Sequence, residues 1–163
     1  MKLILSTLIL FSATALADGY SSDPVKKGLE IATEMDAQDK GFVDQKADMV
    51  MILRDQRGKE ASREIKTSTL EVKGDGDKSL ITFNQPRTVK GTKFLSFTHK
   101  KGDDDQWLYL PKLKRVKRIS SSNKDGSFMG SEFAYEDISS QEIEKYTYKY
   151  LKEIPDFNQL LHE

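Results

Sequence analysis

The chain has 163 residues, with 26 basic and 26 acidic side chains, two His and no Cys. That length predicts one domain, and 37% hydrophobic residues, including eight Phe, six Tyr and one Trp, are enough to build a core. The balanced charge excludes a general nucleic-acid binder, which needs positive potential to release counterions. The absence of Cys excludes disulfides, thiolate zinc sites and cysteine nucleophiles.

Met1-Lys2 precedes an apolar run from Leu3 to Ala13, followed by Ala15-Leu16-Ala17. A basic start, an apolar stretch and an A-x-A exit predict an export signal cleaved after Ala17. The run is short for a membrane anchor, which needs about 20 apolar residues. No Cys follows the expected cleavage point, so the exported chain carries no lipoprotein thioether lipid of its own. It is expected to be periplasmic where the source has two membranes. Cleavage leaves residues 18–163 as one domain with a net charge of one negative.

Asp23-Pro24 predicts a helix start, because Asp caps well and Pro loses nothing at the first helical position. Val25, Leu29, Ala32 and Met35 recur at helical spacing, and Gly41 offers a stop. Core packing is the simplest use of that stripe, and a movable cover over a cavity is the alternative. The period then changes to two. Strands are expected over Ala47–Arg54, Glu60–Lys73, Ser79–Asn84, Lys93–His99, Gln106–Leu110 and Arg115–Ser120, with turns at Asp55–Gly58, Gly74–Asp77 and Lys101–Asp105. Further extended segments are expected at Ser127–Tyr135 and Tyr146–Leu151, around a short helical turn opened by the capping-box pattern Ser139–Glu142. Turn signals every ten residues or so predict an antiparallel meander that curls into a barrel or half-barrel.

Several strands are apolar on both faces. Met49, Met51 and Leu53 alternate with Val50 and Ile52, and Leu108 and Leu110 with Trp107 and Tyr109. A sheet covered on one side only alternates more cleanly. A filled core explains this pattern, and so does a ligand cavity.

Catalytic signatures are missing: there is no G-x-S-x-G and no H-E-x-x-H, and His99 and His162 are the only imidazoles. Gly74-Asp75-Gly76-Asp77-Lys78-Ser79 has a phosphate-loop outline but lacks Gly before Lys, and its two Asp repel phosphate; it reads as a hairpin turn. Asp103-Asp104-Asp105 is a run of hard-cation ligands without the alternation or distant Glu of a calcium loop, and reads as a solvated turn. No metal or cofactor is therefore expected. Lys112, Lys114, Arg115, Lys117 and Arg118 place five cations in seven residues. They suit either a solubilising edge or the docking of a lipid headgroup or an acidic partner.

The segment from Asp103 through Trp107-Leu108-Tyr109-Leu110-Pro111 to Ile119 resembles the central motif of LolA-like outer-membrane lipoprotein-sorting proteins. So does Gly126–Ile138, and Gly76–Ile81 and Val89–Leu95 fit the same family in order. The resemblance spans about Gly28 to Leu151 and is closest to the branch associated with RND/MMPL-type inner-membrane exporters. It implies a mainly β, α+β fold: an antiparallel incomplete β-barrel with an N-terminal helix and a short helical segment over an apolar cavity. It also implies a periplasmic, non-enzymatic carrier of lipid or lipoprotein acyl chains. An accessory protein docking on an envelope exporter is the alternative. For such a cavity, alternation and residue type nominate Met49, Met51, Leu53, Leu80, Phe94, Trp107, Tyr109, Met129 and Phe133 as lining. Methionines suit such a lining because they repack around variable chains. Members of the family continue with further strands after the equivalent of Tyr146–Leu151. The resemblance thus implies a domain short of its last strands, with an open sheet edge that a second copy could pair.

Overall fold

The computed structural model describes residues 19–153. The expected export signal, Pro155 and His162 lie outside the described residues. One helix precedes six strands: α1 (Pro24–Gln38), β1 (Asp44–Arg54), β2 (Glu60–Leu70), β3 (Lys78–Gln85), β4 (Lys93–Phe97), β5 (Asp105–Leu110) and β6 (Arg115–Ile119). The strands form one antiparallel sheet in sequence order, β1-β2-β3-β4-β5-β6, which does not close on itself. Six strands and the helix start fall where the sequence predicts them. The Asp23 side chain accepts from the backbone N–H of Val25 and Lys26 at 2.8 and 3.0 Å.

Register sorts the alternating residues onto two faces. Met49 opposes Ile65, Ile65 opposes Phe83, Ile81 opposes Phe94 and Phe94 opposes Leu108, so these share an inner face. The intervening residues, among them Leu80, Leu95 and Trp107, share the outer one. The core lies wholly on the inner face, where Phe83 and Phe94 are fully buried beneath Phe128. Phe128 meets Phe94 edge-on with ring centroids 5.3 Å apart, and Tyr135 lies 5.5 Å from Phe128. Each buried Phe contributes about 1.5–3 kcal/mol of hydrophobic stabilisation.

The segment that supplies Phe128 is not the strand expected at Ser127–Tyr135. It folds back on itself through a single bridge between Ser127 and Ala134, with Phe128 N–H donating to Phe133 O. Met129 and Gly130 take positive φ (53° and 76°) at the reversal. The Arg63 guanidinium of β2 donates to Met129 O at 2.7 Å, tying this loop to the inner face. The capping box at Ser139 does not form either. Ser139 Oγ instead accepts from Gln106 Nε2 at 2.8 Å, and 3-10 turns lie on either side, at Glu136–Ile138 and Ile143–Lys145.

Tyr146–Leu151 is not a strand. It finds partners on α1 rather than on a sheet edge: Tyr150 N–H donates to Pro24 O at 2.8 Å, and the Lys27 ammonium sits 4.1 Å from the Tyr150 ring centroid. The helix is likewise not a core element. No residue of α1 is fully buried, and Val25, Leu29 and Met35 are largely exposed. Among the described residues no helix is long and apolar enough to cross a membrane.

Candidate functional site

An open cleft of about 780 Å³ separates the end of α1 from the inner face. Its walls include Asp36 and Asp39 of α1, Gln45 of β1, Thr69 of β2, the turn after β2, and Ser140–Glu142. Six carboxylates (Asp36, Asp39, Glu71, Asp75, Asp77 and Glu142) face three lysines (Lys40, Lys73 and Lys100), so the floor of the cleft is polar. The Glu71 carboxylate accepts from the backbone N–H of Gly41 and Val43 at 2.7 and 3.0 Å. These bonds lower its pKa and fasten the α1–β1 connection to the end of β2. Burial pushes Glu142 upward, against a hydrogen bond from Thr98.

Ion pairs tie together the segments beside the cleft. His99 lies between Asp75 and Asp105, Lys100 pairs with Glu144 at 3.1 Å, and Lys145 pairs with Asp104. The Asp103–Asp105 run is therefore a structural turn, whose Asp104 also accepts from His99 N–H at 3.0 Å. The Gly74–Asp77 segment is the expected turn, between β2 and β3. Among the described residues no cluster of three or more His, Asp or Glu side chains is arranged to hold a metal.

The nine nominated lining residues do not share one surface. Met49, Met51, Leu53 and Phe94 are on the inner face, whereas Leu80, Trp107 and Tyr109 are on the outer face. Phe94 is in the core, and Met51 and Met129 pack against that core. Met49 and Phe133 are more than half exposed, and none of the nine lines the 780 Å³ cleft. The basic run divides in the same way. Lys112 lies in the 3-10 turn Pro111–Leu113, and Lys114 follows it in the left-handed conformation (φ 47°). Arg115 and Lys117 align with inner-face Leu110 and Leu108, while Arg118 pairs with Asp105 outside. The sequence shows that β1 and β5 are apolar on both faces; cross-strand register decides which of those residues meet.

An open antiparallel sheet whose core is closed from one side by a returning loop, with a helix alongside, is an incomplete β-barrel. A family model whose description is "uncharacterized protein"-like matches residues 75–157, just over half of the chain. A solved candidate outer membrane lipoprotein-sorting protein domain from Vibrio parahaemolyticus is 59% identical, with a TM-score of 0.76. The match covers 78% of this chain and 54% of that one. A DUF1329 family protein from Desulfovibrio piger is 37% identical with a TM-score of 0.72, covering 78% of this chain and 55% of that one. No curated protein matches. The chain belongs to the LolA-like family, and it spans about half the length of these two solved chains.

Proposed function

We propose that this protein is a periplasmic, non-enzymatic carrier that binds lipid or lipoprotein acyl chains on the inner side of its open sheet for transport toward the outer membrane. The observation that carries this reading is apolar surface left uncovered around that side. Met49 of β1 is 53% exposed, Phe133 of the loop 54%, and Leu29 and Met35 of α1 49% and 64%. None of these four side chains belongs to the buried core, and apolar side chains left open around one side of a sheet suit a binding surface. An acyl chain loses about 0.8 kcal/mol for each CH₂ left in water, so its transfer through an aqueous space requires such a surface. Release then needs movement of a cover and no chemical step.

The test is mass spectrometry of material extracted from natively purified protein, together with uptake of a fluorescent fatty acid. Bound lipid and saturable uptake are expected. Clean extracts with no uptake overturn the reading.

A second reading, docking on an RND/MMPL-type exporter, draws on the edge strand β6, where exposed Arg115 and Lys117 have no ion-pair partner among the described residues. Reversing Lys112, Lys114, Arg115, Lys117 and Arg118 should then abolish exporter capture while lipid uptake persists. A second copy of the chain pairing at the same edge would give a twofold mass in light scattering that the reversal variant loses.

A further inference from the structure

The outer face of the sheet is not used by the carrier reading, and it is not a plain solvated surface. Leu80 on β3, Leu95 on β4 and Trp107 on β5 stand in direct register and form an apolar row across three strands. Phe97 packs edge-on to Trp107 at 5.2 Å, and Tyr109 opposes Val116, which is 59% exposed. Beside the row is a shallow depression of about 470 Å³ whose lining includes Leu70, Leu80, Leu95, Lys46, Lys78 and Asp44. Every residue lining it comes from β1–β4, and none from α1 or the loops.

The charges around this plate are lopsided. Asp48 is answered by Lys66 at 3.8 Å, and Asp105 by Arg118 and His99. That leaves Lys46, Lys78 and Lys93 against Asp44 and, farther along β2, Glu64, with Lys78 lying 4.6 Å over the Phe97 ring and Lys93 opposite Tyr109. Lysines around a flat apolar area containing Trp and Tyr complement the interface of an anionic bilayer. There the aromatic rings sit at headgroup level and the ammonium groups meet phosphates.

We propose that the outer face, centred on Leu80, Leu95 and Trp107, docks the protein on an anionic lipid surface. Docking there leaves the inner side free, so the two lipid contacts are separate, and this one needs no carried lipid. Trp107 is the chain's one Trp and lies in the middle of the proposed contact, so its fluorescence reports on the docking face directly.

The experiment mixes the protein with phosphatidylglycerol vesicles and, separately, with phosphatidylcholine vesicles. Expected are co-flotation with phosphatidylglycerol alone, a blue shift of Trp107 emission, quenching by brominated acyl chains, and reversal by high salt. The exposed triple variant Lys46→Glu, Lys78→Glu, Lys93→Glu should bind at least about a hundredfold more weakly, since each lysine near an anionic surface contributes about fivefold. Arg115→Glu, Lys117→Glu on the inner side of β6 should bind as the parent does. The proposal is overturned by absence of flotation, by flotation with Trp107 emission unchanged, by an unaffected triple variant, by loss of binding in the β6 variant, or by capture of an acidic peptide in preference to the vesicles. Fluorescent fatty-acid uptake, measured on the same triple variant, should be unchanged. Its loss from the parent protein as well overturns the carrier reading and leaves this one standing.

Discussion

His99 Nδ1 lies 2.8 Å from Asp75 Oδ2, so the second residue after β4 is held by the turn between β2 and β3. Asp105 Oδ2 stands 3.4 Å from Nε2 on the other side of the ring. The hydrogen bond from His99, followed by those from the backbone N–H of Lys100 and Gly76, lowers Asp75 from 3.8 to about 2. His99 is raised above 6.5, first by Asp75 and, against desolvation, by Asp105. A raised imidazole stabilises the fold below its unfolded pKa and loses that contribution as pH rises through the folded value. A lowered carboxylate does the reverse: its contribution is present above the unfolded value and lost as pH falls through about 2. The pair therefore contributes fully between about 3.8 and 6.5. His99→Ala should lower the melting temperature most in that window and least at alkaline pH. The loss should be modest, because both groups are partly solvated. Melting curves across the range check this, and a pH-independent difference between the proteins would refute it.

Gly76 in the same turn has no room for a side chain. A Cβ there would meet the Thr98 carbonyl carbon at 2.6 Å, Thr98 Oγ1 at 2.5 Å and Glu142 Oε1 at 2.7 Å. Two of these atoms belong to side chains that could shift, but the third is backbone of the residue after β4, itself hydrogen-bonded to Asp77. Gly76→Ala should therefore destabilise the protein by about 1–3 kcal/mol, the range for overpacking. Urea unfolding with an unchanged m-value would show that the native contact, rather than the unfolded state, is responsible.

The helix and six strands were legible because each depends on local pattern. Asp23-Pro24 caps itself, and strand alternation is marked off by Gly and Asp turns. The segments after Ile119 were not legible in this way. Phe128 and Tyr135 have strand-like composition, yet they serve a core whose other half, Phe83 and Phe94, lies more than thirty residues earlier. Ser139 has capping chemistry, and Gln106, a buried amide, draws its hydroxyl away. The candidate lining failed to assemble for a related reason. Alternation within one strand cannot say whether Met49 and Trp107 share a face, because that depends on register summed across four ladders.

Gly28 sets how closely the chain's last described segment approaches α1. A Cβ at this position would sit 2.8 Å from both Lys149 N and Tyr150 N. Alanine favours the helix itself by about 1 kcal/mol, so Gly28→Ala sets helix propensity against the contact with that segment. The expected result is a helix that stays formed while the tail lifts away. Hydrogen exchange at the Tyr150 amide, bonded to Pro24 O at 2.8 Å, should accelerate strongly, with little change in melting temperature. Should this contact hold α1 over the cleft, fluorescent fatty acid would also leave faster. An unaltered Tyr150 exchange rate would show that the segment adapts to the added methyl.

Two phenylalanines on the inner side separate stability from binding. Phe94 is fully buried, with Phe128 and Tyr135 ring centroids at 5.3 and 5.6 Å, and Phe133 is 54% exposed. Phe94→Ala leaves a cavity beside two aromatic rings and should cost about 3–5 kcal/mol. Phe133→Ala removes no core contact, so its effect on stability should stay within about 0.5 kcal/mol. If the uncovered side chains are the carrier surface, the order inverts for ligand. Phe133→Ala combined with Met49→Ala should weaken fatty-acid uptake several-fold in a protein that melts as the parent does. Titration of both single variants and the double variant with a fluorescent fatty acid, alongside urea unfolding, separates the two effects. Undiminished uptake in the double variant would remove Met49 and Phe133 from the site and leave Leu29 and Met35 of α1 as its apolar surface.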